Sequence, residues 1–125
     1  MTGQEVLRQA LRLLGYTDTL GDPDSAQNTE VYKNGLAVIN QLVCDLSLSE
    51  SGKMAPPIGS LRQDLPLSER TARDILPYGV AMLLAAARGD GDNQQLFASL
   101  YDQKRVSVRS DYESRVDVLP RGCDI

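Results

Sequence analysis

The chain contains no histidine. That removes the commonest general base, the base of the usual nucleophilic triads and the commonest transition-metal ligand together. Tryptophan is also missing and there is a single Phe, so Leu, Val, Ile and Ala must fill the interior of a chain that is 42% hydrophobic. Packed helices suit such side chains better than a sandwich. No apolar run reaches the roughly 18 residues that cross a bilayer, so a membrane is not expected as a partner. Cysteine is scarce: Cys44 and Cys123 lie far apart and no signal-like segment precedes them, which predicts a reduced, cytosolic setting. Surplus positive charge is missing too. The formal net charge is -4, whereas a protein that grips phosphates normally carries an excess of Lys and Arg.

What remains is helical. At 125 residues the chain is long enough for one core and too short for two. Thr2 and Glu5 have the spacing of a capping box. Val6, Leu7, Ala10, Leu11, Leu13 and Leu14 follow on one arc, and Gly15 supplies a stop, which predicts a helix over 3–14. The segment "YTDTLGDPDSAQ" reads as a loop. From about Ser25 to Leu46 the period returns, with Val31, Tyr32, Val38, Ile39, Leu42, Val43 and Leu46 on one face. Gly35 projects to the middle of that face, where close approach of another backbone is expected. Cys44 points away from the stripe, as a half-exposed thiol.

Residues 47–67, "SLSESGKMAPPIGSLRQDLPL", contain three prolines and two glycines and show no sustained period. Connections of that length usually serve a partner or an extended arm. Its Ile58, Leu61, Leu65 and Leu67 need to be buried against something. Ser68 or Thr71 can cap a third helix running to about Arg88, with Pro77 forcing a kink or a restart near Leu76. "YGVAMLLAAA" is apolar nearly all round, the pattern of a central helix. Asp92 or Asn93 can cap a fourth, striped by Leu96, Phe97, Leu100 and Tyr101. Beyond Tyr101 the stripe fades. The expected architecture is therefore all-α: a small bundle of about four helices in residues 1–103, a long irregular loop between helices 2 and 3, and an extended C-terminal tail over 104–125.

The pairs Gly89-Asp90 and Gly91-Asp92 invite a site reading. As a calcium loop they fail, because Gln95 stands where the sharp-turn Gly belongs and Tyr101 where the bidentate Glu belongs. As a phosphate loop they lack the Gly-Lys-Ser/Thr ending, and Gly52-Lys53 follows no strand. "RGD" at 88–90 is coincidental in a cytosolic chain. Gly89 ending one helix and Asp90 or Asp92 opening the next accounts for the pattern. Asp22 and Asp24 sit in a turn, where capping explains them without catalysis. No catalytic residue, cofactor, metal ligand or small-molecule substrate is assigned. Lys104, Arg105 and Arg109, beside Asp111, Glu113, Arg115 and Asp117, are either a solvated mixed-charge face or a docking surface that sets register between subunits.

Taken in order, "VLRQALRLLGY", "LAVINQLVCDL", "LPLSERTARDILPYGVAMLLAAARGDGDNQQLFASLYDQKR" and "RVDVLP" resemble bacteriophage head-to-tail connector (adaptor, or head-completion) proteins. The resemblance covers nearly the whole chain and rests on pattern and order, with no catalytic signature. It implies a non-enzymatic structural subunit of a phage or prophage virion, made in the host cytoplasm and placed at the head-tail junction. It further implies a ring of about a dozen copies under the portal protein, extending the DNA channel and receiving the tail or stopper protein. Double-stranded DNA would pass through without specific binding, which suits an acidic subunit. By the same analogy the loop 55–67, through Ile58, Leu61 and Leu65, and the tail 104–120 reach neighbours or the portal. The tail contributes Lys104, Arg105, Arg109, Tyr112, Val116, Val118 and Leu119. The alternative is a small helical regulatory or DNA-binding module with a helix-turn-helix after Ser68. The acidic balance and the apolar "VAMLLAAA" count against it, since a recognition helix must offer a polar face to the groove.

Overall fold

α1 spans Gly3–Leu14, and Thr2 begins it as the spacing predicts: its hydroxyl accepts the Glu5 N–H at 3.3 Å. Gly15 ends it at φ 75°, with the N–H groups of Gly15 and Tyr16 closing on the carbonyls of Arg12 and Leu11. Val6, Leu7, Ala10, Leu11 and Leu14 are buried, while Leu13, expected on the same arc, is 37% exposed at its edge. This computed structural model describes residues 1–17, 21–23 and 28–124, with side chains described through Ser110.

α2 runs from Thr29 to Ser51, ending five residues later than the periodicity predicts. The expected start at Ser25 lies outside the described residues. The end moves because the serines turn their hydroxyls back onto the helix, Ser47 to the Cys44 carbonyl and Ser51 to the Ser47 carbonyl. They join the helix instead of competing with it. Ile39, Leu42, Val43 and Leu46 are buried, whereas Val31, Tyr32 and Val38 are only partly covered. Gly35 faces Leu7 of α1. A Cβ there would sit 2.4 Å from Leu7 Cδ1, so what crowds the glycine is a side chain and not the backbone expected.

Residues 52–68 are irregular, as expected, but they are not an arm. Ile58 and Leu65 are buried in the chain's own core, and Leu61 and Leu67 pack against it. Polar side chains on one side of α2 hold the segment down. Asn40 accepts the Ile58 N–H at 2.8 Å and donates to its carbonyl at 3.0 Å, and Ser47 accepts the Ala55 N–H at 3.0 Å. Glu50 takes the Ser68 N–H and, at 2.9 Å, the Thr71 hydroxyl. On the other side, Gln4 N–H reaches the Leu61 carbonyl and Leu65 N–H the Met1 carbonyl. The segment is a strap that closes one end of the bundle.

α3 (Glu69–Asp74) is capped by Ser68, and α4 (Leu76–Ala87) restarts after Ile75 with Pro77 in its first turn, where a missing N–H costs nothing. Counted as one broken helix, the pair gives the four-helix bundle expected. α4 packs against all four other helices and buries Leu76, Val80, Ala81, Leu84 and Ala85. Gly79 lets α5 approach: a Cβ there would stand 2.8 Å from the Tyr101 ring. α5 spans Gly91–Asp124. The boundary expected at 104 therefore falls inside a helix, and Val108 beyond it is 7% exposed and part of the core. Among the described residues no helix is long and apolar enough to cross a membrane.

Candidate docking surface

The Gly-Asp turn is a structural joint. Gly89, at φ 71°, and Asp90 close α4 through the carbonyls of Ala86 and Ala85, the same pattern that closes α1. Asp90 then opens α5, its carboxylate accepting the Asn93 N–H and its carbonyl the Gln94 N–H. Its other oxygen accepts the Tyr16 hydroxyl at 2.5 Å and the Asn93 amide at 2.7 Å. The ends of α1 and α4 are thus tied together. Arg88 lies 4.2 Å above the Tyr16 ring and donates to Asn28 at 2.6 Å, while the fully buried Asn28 donates to the carbonyls of Tyr16 and Pro23.

The electrostatics agree with that geometry. The hydrogen bonds from Tyr16 and Asn93 hold the Asp90 carboxyl below its ordinary range. Burial, with the Asp90 bond next, raises the Tyr16 phenol. Among the described residues no group of three or more His, Cys, Asp or Glu stands close enough together to hold a metal ion.

Midway along α5, around Lys104, the side chains frame open space. Lys104 Nζ lies 4.6 Å from the centre of the Tyr78 ring, which itself packs at 6.0 Å on Phe97. Arg105 pairs with Asp102 at 3.3 Å, and Arg109 is exposed. At Lys104, residues of α3 and α5 line a groove of about 380 Å³. Ile75 and Leu100 form its apolar floor, with Arg70, Asp74, Gln103, Lys104 and Ser107 around it. A smaller groove of about 250 Å³ lies between α2 and α4 over Val31, Val38, Leu83 and Leu84. Tyr101 is buried with no hydrogen-bond partner for its hydroxyl among the described residues, and burial pushes its phenol up to about 12.

Among the residues expected to face partners, Lys104, Arg105 and Arg109 share one helix. Lys104 belongs to the groove, while Arg105 lies over the Tyr101 ring and Arg109 is exposed one turn further on. Ile58 and Leu65 are core residues and unavailable to a partner, and Leu61 is partly covered. The side chains of Tyr112, Val116, Val118 and Leu119 lie outside the described residues. Arg70, Asp74, Leu100 and Gln103 were not anticipated. They come from helices separated in sequence, and the packing of both α3 and α5 on α4 brings them together. α4, second in the expected helix-turn-helix, turns Gly79, Val80, Ala81, Leu84 and Ala85 inward, which leaves little polar face for a DNA groove. Compared with protein-family models, with curated proteins and with solved structures, the chain matches none.

Proposed function

We propose that this chain is a non-enzymatic, ring-forming subunit of a phage or prophage virion that sits under the portal, extends the DNA channel and gives the tail or stopper a surface to attach to. The observation that carries the reading is the groove lined by α3 and α5, with Arg70 and Lys104 at it, on a domain whose core takes in its own strap. An apolar floor ringed by mixed charge is the composition of a protein docking site, where the floor gives affinity and the rim gives register. A net charge of -4 supports a channel wall that lets duplex slide, because few counterions are released on contact.

Mass measurement of the full chain, alone and mixed with a portal ring, tests this. Ring-sized oligomers or co-migration with the portal are expected. A chain that stays monomeric at all concentrations and passes the portal unbound overturns the reading. A steep salt dependence of duplex binding would favour the DNA-binding alternative instead.

A further inference from the structure

The four α5 residues that line the groove, Leu100, Gln103, Lys104 and Ser107, stand at i, i+3, i+4 and i+7. That is the spacing of the hole that one helix offers to a side chain of another in knobs-into-holes packing. Ile75 adds an apolar wall to it. A fitting knob lies on the same helix. Leu96, one turn before Leu100 on the same flank, is 52% exposed and stands outside the core. We propose that two copies of the chain pair through this flank, α5 against α5 in opposite directions, with Leu96 of each entering the groove of the other. This rests on the reading of the groove as a docking surface and names what fills it in the free chain.

The occupant is a second copy because knob and hole share one helix, so a single two-fold axis satisfies both contacts at once. With Leu96 seated midway along the groove, that axis passes close to Leu100, and the two Leu100 side chains meet across it. The polarity of the flank agrees. Beyond Leu96 it carries Leu100, Gln103, Ser107 and Ser110 with Lys104 as its one charge, and the centre of an interface is depleted in charge. Lys104 rests on the Tyr78 ring and pairs with no acid among the described residues. In the antiparallel register it comes within about one helical turn of Asp92 of the other copy. Leu13, Leu48 and Met54 sit on other elements and Val106 on another face of α5, so the same axis carries none of them into the groove. A two-fold contact closes on itself. It cannot build a ring, so the pair is a form of the free chain with its docking groove covered, and it gives way on assembly.

Sedimentation of the full chain over a concentration series should show a dimer. Leu96→Glu, which brings a charge into the groove, should weaken pairing at least about ten-fold. Val106→Glu should leave it unchanged. Both sites are more than half exposed, and circular dichroism checks that both variants fold. For the register, Cys44 and Cys123 are changed to Ser, one preparation carries Leu96→Cys and a second carries Gln103→Cys. In a mixed pair the two positions lie within about 2 Å along the helix axis, whereas two copies of the first lie about 12 Å apart and two of the second about 9 Å. Under mild oxidation, disulfides are therefore expected in the mixture and in neither preparation alone. Self-linking of either preparation to the same extent overturns the contact. So does equal weakening by the two glutamate substitutions. A chain that is monomeric at every concentration also overturns it, and leaves the ring reading standing if that chain still joins a portal ring. A dimer that links as expected and passes the portal unbound upholds the contact and removes the ring reading.

Discussion

Residues 52–68 contain no helix and yet supply Ile58 and Leu65 to the core, whereas the described residues 104–110 are helical throughout and supply only Val108. Regular backbone is thus a poor guide to which segment belongs to the fold. A helix satisfies its own N–H and C=O groups wherever it points, so it can run along a surface at little cost. An irregular segment cannot, and it enters the core only where side chains meet its backbone. Asn40, Ser47 and Glu50 do that for the strap. The accessory-looking piece is load-carrying, and the regular one offers the free face.

Ile58→Ala should break the contrast most forcefully. The strap would lose its deepest anchor, with a stability loss of about 2–4 kcal/mol in urea unfolding. A loss near zero would mean the strap only rests on the bundle.

Alkaline pH probes how α5 is anchored just before residue 104. Tyr101 is held up to about 12 by burial, while an unfolded tyrosine ionises near 10. Between those values the unfolded chain binds fewer protons than the folded one, so stability falls as pH rises, by up to about 2–3 kcal/mol over the window, and is unaffected by this group below pH 10. Tyr101→Phe should flatten that slope. At neutral pH it should be neutral or slightly stabilising, because the hydroxyl has no partner to lose.

Asn40→Ala leaves both backbone groups of Ile58 unpaired under partial cover, and about 1–2 kcal/mol of destabilisation is expected in the same assay. Val106→Ser, on the exposed side of α5 at 60% exposure, should change stability by less than about 0.5 kcal/mol. A larger effect there would show that the exposed face of α5 is already covered in the free protein.

The parts of the fold legible in sequence are those governed by neighbours a few residues away. Thr2 with Glu5 and Gly15 bracket α1 correctly, Ser68 starts α3, and Pro77 marks the restart of α4. The apolar circumference of "VAMLLAAA" announces the central helix. The strap misleads because its four apolar residues follow no period, and nothing local says that Asn40, eighteen residues earlier, will hold Ile58. The docking surface was half legible: Lys104, Arg105 and Arg109 stand out as a basic cluster, but Arg70 and Asp74 become part of a groove only once α3 lies beside α5.

Composition alone decided that this chain is helical, that its interior is aliphatic, and that histidine chemistry is closed to it. Capping residues, glycines and a proline decided where most helices begin and end, since those effects act within one turn. Tertiary structure alone decided that Tyr16 meets Asp90 across 74 residues, that the strap is core and that a groove opens between α3 and α5. These depend on which faces pack together. That is settled by burying the whole apolar surface at once, a sum that no short stretch of the chain contains.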